Sequence, residues 1–452
     1  MTANIFAVIL AAGKSTRMHS RLPKVLHPLL GRPMALYVVD AARAATGTEP
    51  VVVVGHAAEQ VRQSLGDSAH FVLQDPQLGT GHAVMQVEPL LRGRAETILV
   101  VTADMPLLTA ETLQALIRVH LANACPITLL TVVSEDSRGF GRIVRDQDGR
   151  IREIVEEAHA AADQLALREL NASVYCFAAD WLWQALRRIP LSPKGEYYLT
   201  DLVGIAVADG LPVQTVESKD LDETIGINTR VQLAQAEAIL RQRLNRHWML
   251  AGVTMIDPDS TYIEAGVQIG QDTTLWPNTY LLGSTVIGEA CIIGPNTLIR
   301  DCRIGNGCRV LASVLEQAVV DDHVEIGPFG HLRKGAHLAE GVHMGNFGEV
   351  KNAYLGPGTK MGHFSYIGDA TIGAEVNIGA GTITCNFDGK QKHHTEIGDE
   401  VFIGSDTMLV APVKIGSGAR TGAGAVVTRD VPEHTLAVGV PARAIRKLKS
   451  SD

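Results

Sequence analysis

The 452-residue chain is poor in aromatic side chains (5%) and has only six cysteines, at 125, 176, 291, 302, 308 and 385. None forms a CxxC pair or stands at zinc-ligand spacing from a histidine, so a zinc module or disulfide framework is excluded and reduced, idle thiols are expected. Long apolar runs are missing as well. Ile5–Ala12 is too short to span a bilayer and no basic segment precedes it. These absences predict a cytoplasmic protein with no membrane insertion. Basic excess is lacking too: 40 Lys and Arg against 49 Asp and Glu leave a formal net charge of −9, which argues against a general nucleic-acid binder but not against local basic sites for small anions.

Glycine, by contrast, is plentiful and uneven: of 44, most fall after residue 250, with no three-residue period that would mark collagen. The length allows two to four domains of about 150 residues each. In the first half, β-rich runs at Ala7–Leu10, Val51–Val54, Thr97–Thr102 and Ile127–Val133 alternate with candidate helices such as Met34–Ala44. That alternation predicts a mainly parallel α/β sheet with its chemistry at the carboxyl edge. Residues 228–250 contain neither Gly nor Pro, and Val231, Leu233, Ala236, Ile239, Leu240 and Leu244 recur near helical spacing, predicting a long connecting helix.

Beyond it, aliphatic–glycine pairs such as Ile269-Gly270, Ile287-Gly288, Ile293-Gly294, Ile397-Gly398 and Ile403-Gly404 recur, several at intervals of six or multiples of six and others slipped by one residue. A hexapeptide period predicts a parallel β-helix, each aliphatic residue stacked inward and each glycine permitting a corner. The irregular stretches near 306–325 and 382–396 are expected to protrude as loops. Such a solenoid resembles the left-handed β-helix of hexapeptide-repeat acyltransferases, and that resemblance implies a homotrimer with sites between neighbouring prisms.

Four segments of the first half carry chemistry: Leu10–Met18 (LAAGKSTRM), Pro23–His27 (PKVLH), Leu73–Ala83 (LQDPQLGTGHA) and Thr102–Leu108 (TADMPLL). A glycine turn with Lys14 and Arg17 suits phosphate, and a carboxylate at a strand end, Asp104, is a hard-oxygen ligand for Mg²⁺ carrying nucleotide phosphates. On these motifs residues 1–230 resemble sugar-1-phosphate nucleotidyltransferases. Nearly the whole chain resembles the bifunctional N-acetylglucosamine-1-phosphate uridyltransferase/glucosamine-1-phosphate acetyltransferase family.

The resemblance implies three parts: a Rossmann-like α/β nucleotidyltransferase domain (1–227), a linker helix (228–250) and a left-handed parallel β-helix acetyltransferase domain (251–452). It places UTP on Leu10, Ala11, Ala12, Gly13, Lys14, Arg17 and Lys24, the uracil on Gln74, Gly79 and Thr80, and the sugar on Gly141, Glu156 and Asn171. It gives Mg²⁺ to Asp104 and Asn228, and leaves Gly195–Asp201 (GEYYLTD) to shape the pocket. The attacking sugar phosphate is already an anion, so positioning and charge neutralisation replace a general base. Close approach of ligand to backbone is expected at Gly13, Gly79, Gly81 and Gly141. Ala103 and Ser173 stand where the family commonly has glycine.

In the solenoid, His363 of Met361–Asp369 (MGHFSYIGD) is singled out from 16 histidines only by its neighbours. The resemblance makes it the general base for the glucosamine-1-phosphate amine, oriented by Glu349, an imidazole being suited to proton transfer near neutrality. It assigns Arg333 and Lys351 to the phosphate and Tyr366 and Asn377 to the sugar. Acetyl-CoA falls to Ala380, Asn386, Phe387 (more often Tyr in the family), Ser405, Ala423 and Arg443, whereas Lys447 and Lys449 read as solvated surface. The competing reading is a single-activity sugar-1-phosphate nucleotidyltransferase whose β-helix is structural or regulatory.

Overall fold

The computed structural model describes residues 4–137 and 139–447, so Lys449 lies outside the described residues. The chain divides into two compact units, the first ending at Leu240 and the second starting at Arg241.

The first unit is built on a sheet whose main path runs Val213–Glu217, Ile127–Val133, Glu169–Ala178, Thr97–Thr102, Ile5–Ala11, Val51–Val54, His70–Leu73. Neighbours are parallel except around Glu169–Ala178, which is antiparallel on both sides. The central strands Ile5–Ala11 and Val51–Val54 are apolar at every position, and Thr97–Thr102 is apolar between its terminal threonines, because both faces are covered. Along Val51–Val54, Val51 and Val53 enter one core with Val8, Ile98 and Val100, whereas Val52 and Val54 enter the other with Ile9, Leu99 and Val101. The two-residue pleat thus divides one valine run between two helix layers. The predicted strands lie within the observed ones, and the first helix runs Met34–Thr46, ended by Gly47 at φ 70°.

The long helix spans Arg230–Leu250. Ala236 and Leu240 are buried in it, but Val231, counted in the apolar stripe, is 69% exposed. Near its end, Leu244 and Trp248 pack on the solenoid core, and Asn245 Nδ2 donates to the Pro258 and Thr261 carbonyls at 2.8 and 3.0 Å.

The second unit is a three-faced parallel β-helix. Each inward aliphatic residue stacks on its counterpart one coil away, and a fully buried Ile stabilises such a stack by about 1.5–3 kcal/mol. Coil length is set by register: Thr261 pairs with Thr279, then Leu298 with Val314, later Tyr366 with Ile383, and Ala370 with Thr395. The stretch 306–325 therefore holds shortened coils and no protruding loop, contrary to expectation. The stretch 382–396 does carry the extra residues. Strands Gly348–Leu355 and Ser365–Ile372 run through a corner and join two faces into one sheet.

The glycines after the inward residues are there for space. A Cβ at Gly270 would lie 2.6 Å from the Gly288 backbone, and one at Gly288 2.6 Å from the Gly305 carbonyl. Left-handed φ is adopted by non-glycine residues such as Asp272 and Ala290 and, among these glycines, by Gly294 and Gly327. Cys291, Cys302 and Cys308 face the interior and donate to carbonyls, as Thr285 does in a comparable corner. All six cysteines are free.

Candidate functional site

At the carboxyl edge of the first unit's sheet lies a cavity of about 660 Å³, lined by Leu10, Ala11, Ala12, Gly13, Lys14, Arg17, Lys24, Gln74, Gly79, Thr80, Asp104 and Asn228, among others. Strand ends bring these together: Ile5–Ala11 runs into the basic turn, and Thr97–Thr102 into Asp104. Met18, fully buried, anchors the turn and leaves Lys14 and Arg17 exposed. Gly13 has no positive φ and a Cβ there would meet nothing, so neither backbone geometry nor packing demands glycine there.

Lys24 is the centre of the polar network. Its Nζ lies 2.5 Å from Asp104 Oδ2 and 3.0 Å from Asn228 Oδ1. A carboxylate and an amide oxygen thus converge on one cationic point. Both are hard donors, and together they suit a small divalent ion that takes its other ligands from phosphate and water. Among the described residues no cluster of three or more His, Cys, Asp or Glu could hold a metal by itself.

The residues expected on the base side are braced by hydrogen bonds. Gln74 is buried and donates from Nε2 to the Gly79 carbonyl at 2.9 Å, and Thr80 Oγ1 accepts from Leu199 N–H at 3.0 Å. Gly79 has φ 94°, and a Cβ on it would strike the Tyr197 carbonyl at 2.7 Å. The expectation that Gly81 serves close ligand approach is corrected: a Cβ there meets Ile189 and Tyr197 at 3.0 Å, so it makes room for the chain's own segment 195–201. For the same reason Gly141 is fixed by Ile154, 2.8 Å from its would-be Cβ.

A second cavity of about 680 Å³ shares Leu10, Thr80, Thr102 and Tyr198 with the first and adds Glu156, Ser173, Tyr175, Lys194 and Thr200. Glu156 accepts from Thr200 Oγ1 at 3.0 Å. Burial, then the neighbouring Glu156 charge, pushes the Asp201 carboxyl up. Asn171 and Gly141 stand behind this lining rather than on it. Asn171 donates to the Tyr175 hydroxyl at 2.6 Å, and its N–H to the Gly141 carbonyl at 2.9 Å. Ser173 holds φ 57° in the irregular part of its strand, the conformation a glycine would adopt freely. Sequence reasoning missed Tyr175 and Lys194, although Tyr175 lies two residues beyond Ser173 and Lys194 directly precedes the GEYYLTD stretch.

In the solenoid, His363, Ala380, Ser405 and Ala423 each follow an inward-strand pair on successive coils and so share one edge. Arg333, Glu349, Lys351, Tyr366 and Asn386 gather around an adjoining face: Glu349 stands in register with Tyr366, and Lys351 with Gly368. Asn386 Nδ2 approaches the Tyr366 hydroxyl at 3.4 Å. Glu349, expected to orient His363, accepts from Arg333 Nη1 at 2.8 Å and stands between His331 of the preceding coil and Tyr366 of the next. Among the described residues no hydrogen bond joins Glu349 to His363. Asn377 lies on another face, in register with Lys360 and Phe402. Phe387 is exposed at the start of the extra loop, and Arg443 lies exposed on a closing antiparallel strand, Ala442–Lys447.

Two charged residues were missed, Lys392 and Asp369. Lys392, in the irregular stretch already noted, places Nζ 3.7 Å from Asp369 Oδ2 and close enough to Lys351 that the second ammonium pulls the Lys351 amine below its ordinary range. Like charges held together beside Arg333 make a natural seat for a phosphate.

A family profile described as MobA-like NTP transferase domain matches residues 7–194, and one described as bacterial transferase hexapeptide (six repeats) matches 266–301 and 394–429. The chain is 49% identical to the bifunctional protein GlmU of Exiguobacterium sibiricum over 96% of its length and 97% of the relative's. It is 50% identical to that of Heliobacterium modesticaldum over 96% and 94%, and 47% identical to that of a Geobacillus species over 98% and 96%. A solved CMP:2-keto-3-deoxy-manno-octonic acid synthetase complexed with CTP aligns with 53% of this chain at 19% identity and a TM-score of 0.42, too loose to carry an argument. Among the described residues no helix is long and apolar enough to cross a membrane. With such identity sustained over nearly the whole length of both chains, this chain belongs to the family of the bifunctional protein GlmU.

Proposed function

We propose that the chain makes UDP-N-acetylglucosamine in two steps, acetylating glucosamine-1-phosphate with acetyl-CoA in the solenoid and then transferring a uridylyl group from UTP in the α/β unit. The observation behind this reading is the presence of two chemically different clusters, each assembled from residues far apart in sequence. One joins Lys24 to Asp104 and Asn228, 80 and 204 positions away. The other joins Arg333, Lys351 and Lys392 beside the edge that carries His363. A merely structural solenoid would have no use for the second.

In the α/β unit Lys14 and Arg17 neutralise the triphosphate while Gln74, Gly79 and Thr80 form the base-side wall. Glu156, with Tyr175 and Lys194, faces the sugar, and Asn171 holds Tyr175 in place. The sugar phosphate oxygen forms a bond to the α-phosphorus as the bond to the pyrophosphate oxygen breaks. Asp104 and Asn228 would hold Mg²⁺, which when bound supplies positive charge to the phosphates. Lys24 reaches the same oxygens, so its ammonium lies beside the charge that develops there.

In the solenoid Arg333, Lys351 and Lys392 hold the sugar phosphate. Acetyl-CoA lies along the edge formed by Ala380, Ser405 and Ala423, with Asn386 and Phe387 at its acyl end. His363 takes the amine proton as nitrogen bonds to the thioester carbon and the thiolate leaves. We further propose a cytoplasmic homotrimer. Phe329, Phe347 and Phe364 are more than half exposed on successive coils, and the first two stack with centroids 5.1 Å apart, a surface suited to burial by a second copy.

Paired variants test the reading. Asp104→Asn is expected to abolish UTP-dependent pyrophosphate release while sparing acetyl transfer, and His363→Ala to do the reverse. Loss of both activities in either folded variant contradicts separate sites.

A further inference from the structure

We propose that Asp369 is a positioning residue of the acetyl-transfer site, whose carboxylate fixes which end of the Asn386 amide faces the incoming amine. The proposal rests on the reading that acetyl transfer takes place in this cleft. Asp369 sits in the corner where strand Ser365–Ile372 passes between two faces, at φ 50° and nearly buried. Its Oδ2 accepts from Asn386 Nδ2 at 2.5 Å, its Oδ1 accepts from Asn352 Nδ2 at 2.7 Å, and Lys392 Nζ lies 3.7 Å from Oδ2.

An ionised carboxylate can only accept hydrogen bonds. Asn386 must therefore turn its NH₂ toward Asp369 and its carbonyl oxygen away. Among the described residues no donor is hydrogen-bonded to that oxygen, which leaves it available to an N–H of substrate. An amide without this constraint could present either end. Asp369 is kept ionised by its surroundings: burial alone would push its carboxyl up, but hydrogen bonds from Asn352 and Asn386 and the ammonium groups of Lys392 and Lys351 outweigh it. Gly368 completes the arrangement, since a Cβ there would collide with the Tyr366 hydroxyl and lie 2.8 Å from Asn386 Nδ2.

The test compares Asp369→Asn with Asn352→Gly in the full-length enzyme, following acetyl transfer and, as a control for folding, uridylyl transfer. Both replacements tolerate the left-handed backbone that Asp369 and Asn352 adopt. Asp369→Asn is expected to lower kcat for acetyl transfer roughly 10- to 100-fold, the usual cost of losing an orienting partner, with KM for acetyl-CoA within about twofold and uridylyl transfer unchanged. Asn352→Gly, which removes the corner hydrogen bond but leaves Asn386 held, is expected to keep kcat within about twofold. Equal losses in the two variants would mean that Asp369 merely holds the corner, and an unchanged kcat in Asp369→Asn would mean that it orients nothing; either result overturns the proposal. His363→Ala separates the levels: if it retains acetyl transfer, the siting of the reaction is wrong, whatever Asp369 does.

Discussion

His120 is buried in the first unit, where burial pushes its imidazole down to about 4 and Nδ1 lies 3.1 Å from Thr128 Oγ1. In the unfolded chain the same ring takes a proton below about pH 6.5. Between those values the unfolded state binds more protons, so stability is complete above pH 6.5 and drains as the pH falls toward 4, by up to about 3 kcal/mol. His27, lowered by burial and then by the Arg230 charge, acts in the same direction. Melting curves at pH 7.5 and pH 5 are expected to show a smaller loss of melting temperature for His120→Gln than for the unmodified protein; equal losses would assign the effect to other groups. None of this was visible in the sequence, where His120 was one histidine of many. Asp104, Lys24 and Asn228 were legible because motifs carry them. Asn171 was legible only as a position, since its motif could not reveal that Tyr175 stands between it and the cavity.

At the level of the elements, the hexapeptide pattern disclosed the solenoid because each inward aliphatic residue leaves its mark six positions on. It did not disclose the shortened coils. Removing residues from a corner preserves the aliphatic–glycine pairs on either side, so a deletion and an insertion look equally irregular until strand register is known. The pattern also left the purpose of the glycines unread, since a pair such as Gly345 and Gly362 meets only after the chain has gone once round. A Cβ at Gly345 would collide with the Gly362 carbonyl, one residue before His363. Gly345→Ala is therefore expected to destabilise the second unit by about 1–3 kcal/mol and to lower acetyl transfer while leaving uridylyl transfer intact. Denaturant unfolding with both assays checks this, and an unaffected acetyl transfer would show that the corner absorbs the shift.

For the whole molecule, the net charge of −9 proved a poor guide to its ligands. The total conceals local groups of Lys and Arg: Lys14 and Arg17 share one turn, whereas Lys351 and Lys392 come together only when distant segments fold. If the exposed phenylalanines of the solenoid are covered by further copies, sedimentation equilibrium should return three times 48.4 kDa. A stable monomer would refute the trimer. The far end of the solenoid has a separate significance. Its last strand among the described residues, Ala442–Lys447, reverses direction and pairs antiparallel with Thr435–Gly439, carrying Arg443, Arg446 and Lys447 on its outer rim. A parallel stack left bare at that point would offer unpaired amides on which another molecule's strands could continue, coil upon coil, into a fibre. The reversed strand breaks the parallel register at that end and lines it with positive charge, two features that disfavour such continuation.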